Sequence, residues 1–319
     1  MLNNKLLVIK MIQKIFQAFT ALVFLVLSLF GFAEAQSRSD AFSIDQFSTS
    51  SGPEVIIKTS GGFVDVVGHD EDYVEVLMFV RRGNRYLSAG STDLSGFDIT
   101  IFQDGDRVTA EAEAKRSSIL RGVNRMSISF KVYVPYMSVV NGRTSGGSVS
   151  AEHIYNSLQL RTSGGSIRVN NLEGDISLET SGGSITLEEI SGDIDARTSG
   201  GSIRANGLEG IASLRTSGGS IRLQDISAKL STRTSGGSIR GTFTTFYDDI
   251  ELQTSGGSIN IEIPKMDHYN LQLRGNRVNA QLTNFTGEAE RNYIRGQIGE
   301  GGPLLSARTS GGNVTLSYR

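Results

Sequence analysis

From Ile167 onward, apolar residues fall on alternate positions in short bursts separated by polar corners. In residues 162–179 the bursts are Ile167 with Val169 and Ile176 with Leu178, the period of two that marks β-strands. Leu172 stands alone in the link between them; Thr162-Ser-Gly-Gly165 makes one turn and Leu172-Glu-Gly174 the other. The same arrangement then recurs. Thr-Ser-Gly-Gly occurs nine times, beginning at Thr59, Thr144, Thr162, Thr180, Thr198, Thr216, Thr234, Thr254 and Thr309, and from Thr144 to Thr234 every step is 18 residues. A constant short period means that each repeat is one structural unit stacked on the next. Two short strands and two tight corners per unit predict an all-β chain, a flattened two-sheet parallel β-solenoid with about 18 residues per coil. Its core consists of Ile167, Val169, Ile176, Leu178, Ile185, Leu187, Ile194, Ile203, Leu214, Ile221, Leu223 and Ile239.

Both corners carry glycine, which adopts positive φ without penalty, so a left-handed residue is expected in each. In the second corner Gly174, Gly192 and Gly210 share one phase, with Asn156 and Ala228 in the flanking units. Ala228 therefore predicts either a differently shaped corner or about 1 kcal/mol of strain. Two rival solenoids fail on the pattern. A triangular hexapeptide helix needs an aliphatic residue every six positions, and stepping from Ile167 meets Glu173 and Glu179. A calcium-binding nonapeptide roll needs Asp in its turns, where this chain has Thr, Ser and Gly.

Towards the ends the pattern loosens. Leu271–Val278 and Tyr293–Ile298 read as decayed units that fill the 55-residue gap between Thr254 and Thr309 with roughly three coils. At the other end, Thr59–Val67 is a first unit followed by longer strands at Tyr73–Arg82, Phe97–Phe102, Arg107–Ala114 and Met126–Val134. Gln103-Asp-Gly-Asp106 joins the middle pair as a hairpin, and 83–96 and 115–125 read as loops. The chain thus divides into a signal segment (1–35), a β-rich N-terminal cap that includes the first repeat (36–140), the regular solenoid (141–263) and degenerate C-terminal coils with a final repeat (264–319).

Composition adds an address. Lys14, the apolar run Ala18–Phe32 and the small-x-small motif Ala33-Glu-Ala35 predict a cleaved secretory signal, with Met11 a possible true start. There is no cysteine, which excludes a lipid anchor at the cleavage site and any disulfide framework. Losing three Lys and one Glu moves the formal charge from −2 to −4, too mild to predict nucleic-acid binding. No later segment is apolar enough to span a bilayer, so the expected location is the periplasm, the cell surface or the extracellular space.

Gly-Gly-Phe-Val-Asp-Val-Val-Gly-His-Asp70, the strand ending Val132-Tyr-Val-Pro135 and the Thr-Ser-Gly-Gly-Ser-Val/Ile units that follow resemble a widespread family of exported bacterial proteins. It is an adhesin-type domain of unknown function, kin to the head domain of some auto-transporter adhesins. The resemblance runs from about residue 41 to 319. It implies a β-solenoid and an exported location, and it brings no catalytic or binding residues with it.

Candidate chemistry is sparse. His69, His153 and His268 are scattered, and His69-Asp-Glu-Asp72 reads as a polar turn rather than a metal site. Ser-Gly-Gly lacks the flanking glycines of a nucleophile elbow. Glu173, Asp175, Glu188, Asp193, Glu209 and Asp225 recur with the repeat, which predicts an acidic surface stripe near the second corner rather than a single catalytic constellation. No cofactor or metal is expected.

Arginine placement is the exception. Arg143, Arg161, Arg197, Arg215, Arg233 and Arg308 directly precede Thr-Ser-Gly-Gly, and Arg168, Arg204, Arg222 and Arg240 follow it. Both sets alternate with core positions and so point outward, forming two ladders that Glu179 and Thr186 interrupt in one coil. Arg161, Arg168, Arg197, Arg204, Arg215, Arg222, Arg233 and Arg240 are the candidate anion-binding strip, since forked guanidinium groups suit rows of carboxylate, sulfate or phosphate; the bland alternative is a solvated face. The reading is a non-enzymatic, adhesin-like binding or structural scaffold whose partner is an acidic polysaccharide, a lipopolysaccharide or an envelope protein, and not nucleic acid. The alternative is a glycan lyase or hydrolase with its site around 83–125 or 264–300.

Overall fold

The computed structural model describes residues 38–115 and 126–319. The expected signal segment lies outside the described residues, as does 116–125 of the expected second loop. Residues Ala41–Arg319 form one compact unit; of the stretch Met1–Asp40 before it, the described part is a 3-10 turn at Arg38–Asp40. Within the larger unit the regular structure described is entirely β, and its strands join into one open hydrogen-bonded sheet.

The N-terminal strands are β1 (Ser43–Ser48), β2 (Glu54–Thr59), β3 (Val64–His69), β4 (Tyr73–Arg82), β5 (Arg85–Leu87), β6 (Phe97–Asp104), β7 (Arg107–Ala114) and β8 (Met126–Pro135). They are followed by β9 (Val139–Thr144) and β10 (Val149–Ile154). Chain order and stacking order differ here. The coil β2–β3 lies inside the stack, with β7–β8 parallel on one side and β9–β10 on the other. Antiparallel strands then close the end: β4 lies on β8, β1 and β5 lie on β4, and β6 lies on β7 through the expected hairpin. The short strand β5 falls within the segment expected to be a loop.

The regular part follows with β11 (Ser157–Thr162), β12 (Ile167–Thr180), β13 (Ile185–Thr198), β14 (Ile203–Thr216) and β15 (Ile221–Thr234). Successive coils pair in parallel with an offset of 18, for example Ile167 with Ile185 and Ile185 with Ile203. The expectation of two short strands per coil is corrected: in β12–β15 they merge into one 14-residue strand. Left-handed residues bend the second corner without ending its pairing. They occupy a phase that the glycine pattern did not reveal, namely His153, Asn171, Glu189, Gly207 and Asp225, with φ between 50° and 67°. Gly174, Gly192 and Gly210 supply a second left-handed position, and Ala228 does not. The corner at Ala228 simply omits the second bend, so the strain considered for it does not arise.

The Thr-Ser-Gly-Gly corner is built for a different reason than expected. None of its glycines is left-handed among the described residues. Instead, a Cβ on Gly165, Gly183, Gly201 or Gly219 would overlap the carbonyl of the same glycine one coil earlier. The coils can approach to strand spacing only because that atom is missing. The threonine is buried and works twice: Thr162 Oγ1 donates to the Gly147 carbonyl at 2.8 Å and accepts from the Gly165 N–H at 3.2 Å. The same pair recurs up to Thr309, which donates to Gly257 O and accepts from Gly312 N. The serine after the glycines forms a second ladder, with Ser184 N–H donating to Ser166 Oγ at 3.2 Å and Ser202 N–H to Ser184 Oγ.

Each coil therefore has two walls. The first wall carries the strand half after Thr-Ser-Gly-Gly; the second carries the half before the next one. Every residue of the expected core is buried. Leu172 is not alone, because Ile154, Leu172, Ile190, Leu208 and Ile226 stack as a further buried aliphatic column at the second corner. The apolar layer thus continues around the bend, and that is why pairing can follow it.

The C-terminal strands are β16 (Ile239–Phe243), β17 (Ile250–Thr254), β18 (Ile259–Ile263), β19 (Tyr269–Arg274), β20 (Val278–Ala280), β21 (Phe285–Ala289), β22 (Tyr293–Ile298), β23 (Leu304–Thr309) and β24 (Val314–Tyr318). The chain does not fill the gap before Thr309 with three coils. It builds one coil, β19–β20, adds the antiparallel hairpin β21–β22 on the far edge of β19, and returns. The last repeat, β23–β24, then slots between β17–β18 and β19–β20. Returning gives Thr309 the glycine carbonyl its ladder needs, and the hairpin covers an edge that would otherwise template association.

Candidate functional site

All eight expected arginines are exposed and lie in the expected ladders. The first wall carries the column Ser150–Arg168–Thr186–Arg204–Arg222–Arg240–Asn260. The second carries Arg143–Arg161–Glu179–Arg197–Arg215–Arg233–Gln253–Arg308–Arg274. Strand alternation turns both outward while their neighbours enter the core. The columns belong to different walls, so the Thr-Ser-Gly-Gly corner separates them and each faces its own solvent side.

Their electrostatics differ. On the second wall Arg161 pairs with Glu179 at 2.7 Å, Arg197 with Asp195 at 2.6 Å, and Arg233 donates to Gln253 Oε1 at 2.5 Å. Glu179, expected as an interruption, is thus a counter-ion. On the first wall Arg168, Arg204, Arg222 and Arg240 make no ion pair among the described residues. Like charges on successive rungs, about 4.8 Å apart, raise each other's electrostatic energy and are ready for an external anion. Arg204, Arg222 and Arg240 line a groove of about 640 Å³ together with Asn206, Gln224 and Arg319, and the carboxylates Glu188 and Asp225 lie at the same groove, so the arginines outnumber the acids there by four to two. Towards the N-terminal end the first wall is self-neutralised: Lys131 and Asp65 pair at 3.2 Å, and Ser150 donates to Asp65 at 2.6 Å. Burial draws the Lys131 amine down, but Asp65 outweighs it and leaves the pKa raised.

With a stacked coil, a glycine–threonine corner and capped ends in place, the relatives can be placed. A family model described as Toastrack DUF4097 matches residues 36–317. The chain belongs to the Toastrack DUF4097 family. Among solved structures, a "putative adhesin" from Bacteroides fragilis is 13% identical, covers 87% of this chain and 96% of its own, and superposes with a TM-score of 0.42. A "putative cell adhesion protein" from Clostridium sporogenes is 10% identical over 87% and 99% of the two chains, with a TM-score of 0.21. No curated protein matches the chain.

The remaining chemistry-bearing residues of this Toastrack chain have local duties. His69 Nδ1 accepts from the Glu71 N–H at 3.0 Å and its ring lies 4.6 Å from Tyr73, closing the turn; burial lowers its pKa. His153 is a left-handed corner residue, and His268 Nδ1 accepts from the Glu300 N–H at 3.2 Å. Among the described residues no three acidic or histidine groups converge to hold a metal. The acidic stripe is corrected. Glu173, Asp175, Glu188, Asp193, Glu209 and Asp225 are exposed near the second corner, but the register scatters them over several columns. Only Asp175 and Asp193 occupy neighbouring rungs of one column.

The sequence reading missed Arg274, which the returning strand β23 places next to Arg308. A signal existed: Leu271-Gln-Leu-Arg274 repeats Leu158-Gln-Leu-Arg161 at the same phase of the strand.

Proposed function

We propose that this protein is a non-enzymatic, adhesin-like scaffold, exported to the periplasm or cell surface, that binds a linear acidic polysaccharide along its first wall. The observation that carries the reading is the contrast between the two arginine columns. On the second wall Arg161, Arg197 and Arg233 find counter-ions or an amide partner, though Arg143, Arg215 and Arg308 do not, while among the described residues none of Arg168, Arg204, Arg222 and Arg240 on the first wall has one. A column running along the solenoid axis suits a polymer better than a single anion, because successive rungs can engage successive charges and gain avidity. No aromatic side chain lines the groove, so nucleic-acid bases would find no stacking platform there.

Retention on a heparin or polyuronate resin at low salt tests the reading. The full chain should be held and should elute as salt rises, because the contacts are electrostatic. Arg204→Ala with Arg222→Ala and Arg240→Ala should abolish retention without lowering the melting temperature. The same number of changes on the second wall, at Arg161, Arg197 and Arg233, should cost much less. Flow-through of the unaltered protein, or equal losses from both walls, would refute the assignment.

A further inference from the structure

The C-terminal end of the second wall holds a cavity of about 570 Å³ that the arginine columns do not explain. Its floor is a grid set by strand register. Gln253, Arg308 and Arg274 occupy successive rungs of one column, and Glu251, Ser306 and Gln272 those of the neighbouring column. Strand β22 places Tyr293 opposite Arg274, and the β21–β22 turn brings Glu290 and Asn292 to the same cavity. That turn is fixed in place: Glu290 N–H donates to Tyr293 O at 2.7 Å, Gly275 N–H to Asn292 O at 3.1 Å, and Val278 N–H to Arg291 O at 2.8 Å. The wall is therefore preorganised rather than a loose loop.

Two guanidinium groups and two carboxylates converge here from four separate segments. None of Arg274, Arg308, Glu251 and Glu290 has an ion pair among the described residues. Their charges cancel, so the cavity exerts little long-range pull on a polyanion and recognises its ligand by contact.

We infer that this cavity is a second binding site, specific for a single carboxylated sugar ring such as a hexuronate or the acidic end residue of a glycan. Adjacent arginine rungs, about 4.8 Å apart, can clamp one carboxylate with forked hydrogen bonds. Glu251 and Glu290 are acceptors for sugar hydroxyls, and Gln253, whose Oε1 already accepts from Arg233, offers its amide N–H groups as donors. The half-buried ring of Tyr293 gives the apolar face of the sugar a surface to lie on. A cavity of this size, lined mainly by polar and charged side chains with one aromatic wall, suits a small polar ligand such as a sugar.

The site is independent of the first-wall reading, and the experiment keeps the two apart. Glucuronate, glucose, acetate and inorganic phosphate are titrated separately into the full chain by calorimetry or NMR. Glucuronate should bind with 1:1 stoichiometry, and binding should persist at high salt. Arg308→Ala and Tyr293→Ala should each weaken it about tenfold or more, a change of about 1.4 kcal/mol or more. The first-wall triple variant should bind glucuronate as the unaltered chain does. Equal binding of acetate or phosphate would reduce the cavity to a plain anion site, and equal binding of glucose would remove the role of the arginine pair. Either result, or full affinity in both variants with native circular dichroism, overturns the inference.

Discussion

Thr232 and Thr234 lie two residues apart on β15, and both are fully enclosed. Their hydroxyls have opposite fates. Thr234 Oγ1 donates to Gly219 O at 2.8 Å and accepts from Gly237 N–H at 3.3 Å. Thr232 stands in an otherwise apolar column between Leu214 and Leu252, and its hydroxyl has no partner. A buried hydroxyl without a partner costs about 1–3 kcal/mol, whereas one partner removed from a buried pair leaves the other orphaned at similar cost. Thr232→Val should therefore stabilise the protein by about 1 kcal/mol, and Thr234→Val should destabilise it by about 1–3 kcal/mol. Denaturant melts of the two variants decide the matter; shifts of the same sign would show that the threonine ladder is not what holds the corner. The sequence shows two threonines in a strand, and only their neighbours one coil away tell them apart.

At the scale of the coil, the two glycines of each corner are unequal. A Cβ on Gly200 would lie 3.4 Å from the Gly182 carbonyl, a contact that a slight shift relieves. A Cβ on Gly201 would overlap the Gly183 carbonyl, and backbone cannot give way without parting the coils. Gly201→Ala should cost roughly 4 kcal/mol or more, while Gly200→Ala should stay within about 1 kcal/mol. Thermal melting of the pair would show the difference directly, and equal losses would mean that close approach is not the constraint. The glycine positions were plain from the repeat, but the expected reason, left-handed backbone, holds only at the second corner. A pattern that records which residue is required does not record whether conformation or contact requires it.

For the whole molecule, the decisive feature is that both ends fold back into the stack. Strands β23 and β24 each have a neighbour on both edges, so the C-terminal repeat is an interior coil. Deleting residues 304–319 should do more than shorten a ladder. It should strip β19–β20 of the coil they rest on and unravel 264–303, because neighbouring-coil interfaces supply a solenoid's stability. Limited proteolysis of the shortened chain should cut within 264–303 well before the solenoid is touched. Resistance equal to that of the full chain would contradict the interior placement. The same return places Arg308 beside Arg274 and creates the cavity at that end.

The sequence by itself determined the coil, its period, its aliphatic core and the outward direction of the arginines. Each of these follows from the local alternation of side chains and from a repeat of constant length. Tertiary structure alone decided which wall each column occupies, which arginines find counter-ions, and where the last coil sits. Those properties depend on residues brought together across coils: Glu179 meets Arg161 through an 18-residue offset, and Thr309 meets Gly257 across 52 residues. Within the repeat the 18-residue offset is legible but not which side chains on neighbouring rungs reach one another, and beyond Thr254 the constant period no longer marks which strands pair.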